Sequence, residues 1–222
     1  MNLRRMDDLG VAGKRVLVRV DFNVPVRDGK VGDDTRMRHA LPTIRRLLDA
    51  GATLFLMSHL GRPKGEANDA YRLEPVARHL SGLVGTEVRY LPTPGPTSDE
   101  QARFVEEAPP GSITLLENTR FEPGETDNDP EMARKLAAYA DFFVNDAFGA
   151  AHRAHASTVG VARLLPSAAG YLVERELEAL RRVRDEPEEP FAVIIGGAKV
   201  SDKIGVLERL VGSANVMIVG GA

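Results

Sequence analysis

Apolar residues along this chain fall into short blocks that alternate between two spacings. Arg15–Val20 (RVLVRV) is short and β-branched, and Thr53–Ser58 (TLFLMS) is almost continuously apolar. Such blocks read as strands, the second buried on both faces as in a parallel sheet. Between them Met37, Ala40, Leu41, Ile44, Leu47 and Leu48 recur at helical spacing. Asp34 or Thr35 is placed to cap that helix, and Gly51 to end it in a left-handed conformation. Pro42 lies inside the pattern and predicts a kink or a second helical piece. The alternation continues with a helix over Glu74–Leu83, a strand over Glu87–Leu91 and a helix from Ser98 or Asp99 towards Ala108. A strand over Ile113–Glu117, a helix from the cap-then-proline pair Asp129-Pro130 towards Ala140 and a strand over Asp141–Asn145 follow. Sustained alternation of this kind predicts the α/β class, a parallel sheet with helices on both faces through right-handed crossovers.

The texture changes after Ser157. Ala156–Ala169 is rich in small residues, and Tyr171–Arg184 reads as a charged helix whose Leu172, Leu177 and Leu180 make only a partial apolar stripe. A helix this polar often bridges domains. Asp185–Pro190 reads as a linker, and Phe191–Ile195, Lys199–Val211 and Asn215–Val219 as strand, helix and strand. The expected division is a first lobe over 1–170, an interdomain helix and linker over 171–189, and the first βαβ unit of a second, similar lobe over 190–222. One such unit cannot cover its own sheet, so a larger two-domain protein is expected.

Charge and cysteine content narrow the classes. The net charge of −3, from 32 acidic and 29 basic residues, argues against a bulk nucleic-acid binder. The absence of cysteine excludes disulfides and thiolate metal sites. The N-terminus acquires Asp7 and Asp8 before any apolar run, so no secretory leader is read there. No apolar stretch reaches the roughly 18 residues of a spanning helix. A cytoplasmic protein is expected.

The chemistry lies where the strands end. Five predicted strands finish in polar residues: Asp21 and Asn23; His59, Gly61 and Arg62; Glu117, Asn118 and Arg120; Asn145 and Asp146, with Arg153 beyond; and Gly196, Gly197, Ala198 and Lys199. In a parallel sheet these ends share one edge, where ligands bind. Asp21 and Asn23 could hold ligand hydroxyls or simply make an Asx turn. Arg36 stands in the first turn of its helix, unfavourably for a cation, as if held there for an anion. An arginine just after a glycine, as in His59-Leu60-Gly61-Arg62, suits an anion, although a solvated loop reads equally simply. Glu117 and Asn118 suit loop bracing. His152 and His155 could ligate a metal, but spacing fixes no third ligand. Two glycines before a helix carrying Lys199 and Lys203 suit nucleotide phosphates. Neither a P-loop nor a GxGxxG fingerprint is present.

Taken together, RVDFNVP, MSHLGRPKG, LLENTRFEPGE, FFVNDAFGAAHRAHAST and IIGGAKVSDKI resemble phosphoglycerate kinases in order and rough spacing. The resemblance covers essentially the whole chain. It implies two Rossmann-like lobes joined by a helix and closing like a hinge. The reaction it implies is reversible phosphoryl transfer between 1,3-bisphosphoglycerate and ADP, giving 3-phosphoglycerate and ATP. It assigns Asp21, Asn23, Arg36, His59, Arg62, Arg120 and Arg153 to the phosphoglycerate. It assigns Gly197, Ala198, Lys199 and Lys203 to the nucleotide phosphates, with Arg36 and Lys199 catalytic and Mg2+ arriving with ATP or ADP. A cytoplasmic monomer without nucleic acid or membrane partners is implied. So is a second lobe continuing beyond Ala222, so that this chain alone is expected to bind 3-phosphoglycerate weakly and not to turn over. The competing readings are a non-catalytic phosphate-binding module and half of a dinucleotide-binding oxidoreductase. The missing fingerprint counts against the latter.

Overall fold

The computed structural model describes residues 3–185, 187–196 and 204–220, in two compact units, Met1–Glu174 and Arg175–Ala222. The first unit contains β1 (Arg15–Arg19), β2 (Val26–Arg27), β3 (Lys30–Val31), α1 (Thr35–Asp49), β4 (Thr53–Met57), α2 (Glu74–Val84) and β5 (Val88–Arg89). It continues through α3 (Asp99–Glu106), β6 (Ile113–Leu115), α4 (Pro130–Ala137), β7 (Phe142–Asn145), α5 (Phe148–Ala151) and β8 (Ser167–Ala169). Six strands form one sheet in the order β5-β6-β4-β1-β7-β8, each neighbouring pair parallel. The chain builds out from β1 through β4, then crosses back after β6 to place β7 on the other side of β1. That reversal makes a switch point at the carboxyl end of the central strands.

Alternate side chains of the strands feed two cores, one on each face. Val16, Val18, Leu54 and Leu56 pack with Met37, Ala40, Ile44 and Leu47 of α1 and Val76, Ala77 and Leu80 of α2. Leu17, Phe55, Met57 and Phe143 pack with Val105 of α3 and Met132, Ala133 and Leu136 of α4. Each of the larger side chains among these contributes about 1.5–3 kcal/mol on full burial. This is the expected α/β architecture with helices on both faces.

Several local expectations need correction. Pro42 does not divide α1, which runs unbroken from Thr35 to Asp49. Pro42 and Arg38 are both exposed, so the Arg38 carbonyl that loses its helical donor faces water. Asp34 occupies the cap position, but its carboxylate binds Arg38 and His79 instead of the first-turn amides. Asp33 accepts from the Thr35 N–H in its place. Gly51 does adopt the left-handed conformation, at φ 81°. Ser98 and Asp129 cap α3 and α4 through their side chains. The strands over Glu87–Leu91 and Ile113–Glu117 are shorter than expected. Glu117 leaves the ladder, its backbone N–H donating to the Gln101 side-chain carbonyl while its carboxylate takes the Leu73 and Asn118 N–H groups. Two features have no counterpart in the sequence reading. The β2–β3 hairpin turns at Asp28-Gly29, both at positive φ. The sixth strand, β8, lies inside the small-residue stretch.

The helix α6 (Tyr171–Asp185) starts where β8 ends, and its first turn is fixed by Asp146, whose carboxylate accepts from the Leu172 N–H. Gly170 makes that approach possible: a Cβ there would lie 2.4 Å from the Asp146 carboxylate and 2.8 Å from its Cβ. Gly170→Ala should therefore cost about 1–3 kcal/mol, read as a lowered urea midpoint, and an unchanged midpoint would refute the crowding.

In the second unit β9 (Ala192–Gly196) and β10 (Val216–Gly220) pair in parallel, with α7 (Ile204–Leu210) between them in sequence. Ile194, Val216, Ile218 and Val219 are exposed. Gly197, Ala198, Lys199 and Lys203, assigned above to nucleotide phosphates, lie outside the described residues. No described helix is long and apolar enough to cross a membrane.

Candidate functional site

Four central strands deliver the candidate residues to one edge. Asp21 and Asn23 follow β1, His59, Gly61 and Arg62 follow β4, Arg120 follows β6, and Arg153 lies beyond β7. Asp21, Asn23, Arg36, His59, Gly61, Arg62, Arg120, Gly149 and Arg153 line a single cavity of about 210 Å³. All seven first-lobe residues expected at the site are in that set. Arg62, Arg120 and Arg153 also line an adjoining cavity of about 460 Å³, together with Lys64, Glu122, Asp127 and His155.

The loops are tied to one another by backbone contacts. Asn23 accepts from the Gly61 N–H at 2.9 Å, and Arg120 donates to the Gly61 carbonyl at 2.8 Å. Gly61 sits at φ 61°, and a Cβ there would meet the Tyr71 ring at 2.3 Å, so glycine is required. Asn118 accepts from the Leu60 and Arg120 N–H groups and donates to the Leu60 and Tyr71 carbonyls. It braces the loop, as Glu117 does through Arg72 and Tyr90. The Asx turn at Asp21 is also present, since its carboxylate accepts from the Asn23 N–H. The other Asp21 oxygen accepts from Arg36 at 2.5 Å. A Cβ on Gly149 would lie 2.7 Å from that oxygen, so the glycine leaves room for the pair.

Four arginines thus face a space that supplies one carboxylate. Burial, and then the neighbouring Arg153 charge, lowers the Arg120 pKa. Crowded cations of this kind are what an anion would relieve. His59 is buried, and burial together with the Arg19 and Arg120 charges pushes its imidazole down to about 2. It is a neutral group in the cavity wall. His152 is exposed and His155 is buried towards Glu125, so the two do not act as a ligand pair. Among the described residues no three His, Asp or Glu side chains are grouped to hold a metal ion.

Beneath the cavity lies a group the sequence reading missed. Arg19 is 1% exposed, and its guanidinium donates to Ser157 Oγ, to the Val20 and Met57 carbonyls and to His59 Nδ1. The Ser157 hydroxyl in turn donates a hydrogen bond to Glu125 at 2.6 Å, and Glu125 Oε1 lies 3.9 Å from the guanidinium. Burial alone would raise the Glu125 carboxyl. Hydrogen bonds from His155 and Ser157 and the Arg19 charge outweigh it and bring the group down to about 2.

Fold and cavity define a parallel α/β protein with an arginine-lined cleft at the carboxyl ends of its central strands. Residues 6–222 match the family model described as phosphoglycerate kinase. The chain belongs to the phosphoglycerate kinase family. It is 60% identical over 222 residues to a phosphoglycerate kinase of Rubrobacter xylanophilus, covering 100% of this chain and 56% of that protein. It is 56% identical over 220 residues to one from Thermus thermophilus, covering 99% of this chain and 56% of the relative. Among solved structures, phosphoglycerate kinase from Coxiella burnetii superposes with a TM-score of 0.86 at 40% identity, covering 99% of this chain and 55% of that one. The enzyme from Pyrococcus horikoshii gives 0.85 at 36%, with the same coverage. The chain spans about half the length of the relatives it matches.

Proposed function

We propose that this chain carries the phosphoglycerate-binding lobe of a phosphoglycerate kinase, which transfers a phosphoryl group reversibly between 1,3-bisphosphoglycerate and ADP. The supporting observation is the meeting of Arg36, Arg62, Arg120 and Arg153 in one cavity with Asp21, Asn23 and His59. Four cations suit a ligand with both phosphate and carboxylate. The acceptor carboxylate of 3-phosphoglycerate is already ionised near neutral pH, so it needs no base. Catalysis then rests on positioning and on cations aimed at the transferring oxygens, with Arg36 in that role. Gly197, Ala198, Lys199 and Lys203 are assigned to the nucleotide phosphates, with Lys199 also catalytic. Mg2+ would come with the nucleotide. The described residues offer it no carboxylate cage. Residues 1–170, 171–189 and 190–222 serve as substrate lobe, connecting helix and start of the nucleotide lobe. The whole acts as a cytoplasmic monomer, and the 222-residue chain alone does not turn over.

Calorimetric titration of the chain tests the reading. 3-Phosphoglycerate should give heat and MgADP little. Arg120→Ala should weaken 3-phosphoglycerate binding by about tenfold or more, the worth of one charge-assisted contact, with a shallower dependence on salt. No heat from the parent chain, or equal affinity in Arg120→Ala, would refute the assignment. ATP formation by the purified chain would refute its inactivity. A non-catalytic module is distinguished by a native protein whose intact mass is close to 24.1 kDa.

A further inference from the structure

We infer that Arg19 is a positioning residue: it holds His59 with Nδ1 bare, so that a neutral imidazole turns Nε2–H towards the cavity. One contact fixes the tautomer. Arg19 Nη2 lies 3.1 Å from His59 Nδ1, and a guanidinium can only donate. Nδ1 must therefore accept, and the single proton of the neutral ring sits on Nε2. His59 lines the cavity wall, and with Nδ1 turned inward the opposite edge is the one left for a ligand.

The choice of arginine decides the sign of the interaction. A histidine Nδ1 usually faces a carbonyl or carboxylate, which would fix the proton there. The ring would then offer the cavity a lone pair and repel an anion. Facing a donor, it offers an N–H and attracts one. Arg19 is itself fixed by Ser157, which relays to Glu125, so the guanidinium cannot turn away. The charges that act on His59 most strongly are Arg19, Arg120, Glu125 and Arg153, of which Glu125 alone favours a second proton, and Asp21, Arg36 and Arg62 line the same cavity. That set opposes a second proton on the ring. A purely architectural Arg19 would fill the same space, but it would not need a bare Nδ1.

The use of the donor rests on the phosphoglycerate reading; the tautomer does not. Long-range 1H–15N spectra of the imidazole-labelled 222-residue chain decide the tautomer, with His59 assigned by the signals lost in His59→Gln. The expected pattern is unprotonated Nδ1 and protonated Nε2, constant from about pH 8 to about pH 5. A proton on Nδ1, or titration within that range, overturns the proposal. In the double variant Arg19→Met/Glu125→Gln, which removes the buried charges together, His59 should change tautomer populations or begin to titrate. An unchanged pattern in that folded variant overturns the role of Arg19, and if it does not fold the parent spectrum still decides. Titration with 3-phosphoglycerate tests the use of the donor. His59→Gln keeps a donor near the Nε2 position and should bind within about threefold of the parent, whereas His59→Asn, whose amide ends near Nδ1, should bind about tenfold more weakly. Equal losses overturn the donor role. A parent chain with the expected tautomer and no 3-phosphoglycerate binding refutes the phosphoglycerate reading alone.

Discussion

Glu125→Ala should destabilise the first unit by about 3–5 kcal/mol, the cost of leaving a buried charge without its partner. The carboxylate is fully buried and holds the Ser157 N–H at 3.0 Å and the Ser157 hydroxyl at 2.6 Å. Its removal leaves Arg19 charged, about 1% exposed and without the carboxylate that does most to offset its burial. The Ser157 amide also loses its acceptor, and an orphaned buried donor adds about 1–3 kcal/mol of its own. Glu125→Gln keeps one acceptor and should fall between parent and alanine. Replacing both partners, as in Arg19→Met/Glu125→Met, removes two desolvation penalties at once and should recover most of the loss. Urea unfolding of the four proteins checks the series. A loss below about 1 kcal/mol in Glu125→Ala would show that the ion pair does not hold these loops.

Sequence reasoning located the cavity wall because polar residues at strand ends stand out against the apolar blocks before them. It did not locate the layer beneath. Arg19 sits inside RVLVRV, which reads as an ordinary strand. The signal was available, since a cation within a strand buried on both faces must be paired. Its partners could not be named: Glu125 is 106 residues away and Ser157 further still, and no local spacing links them. The same limit explains β8. Ser167-Ala168-Ala169 has no side-chain pattern of its own and becomes a strand because the edge of β7 is there to pair with. Pro42 departs from the sequence expectation for the opposite reason. The local rule is sound, but a proline on the wet face of a long helix spoils a carbonyl that water can satisfy. Gly149 gives no local sign of its role either, which is to leave space for a carboxylate more than a hundred residues earlier.

The first unit should lose stability on acidification well above the pH at which ordinary carboxylates titrate. His59 has a folded pKa of about 2 against 6.5 for the free side chain. Between these values the unfolded chain binds a proton that the folded chain refuses, so stability falls as pH falls. The contribution is complete above 6.5 and decays from there towards 2. Glu125 adds a second limb with the same sign. Its folded value of about 2 lies below the ordinary 4.5, so its contribution is complete above 4.5 and is lost below. Each group gives a slope of about 1.4 kcal/mol per pH unit where its folded and unfolded forms differ in protonation. One such slope should therefore be seen between pH 6.5 and 4.5, and a steeper one beneath. His59→Gln should remove the upper limb and leave the lower, because glutamine takes up no proton. Urea midpoints across that range separate the two. A parent stability flat down to about pH 5 would mean that the imidazole accepts its second proton in place, and that neither burial nor the arginines around it oppose the charge.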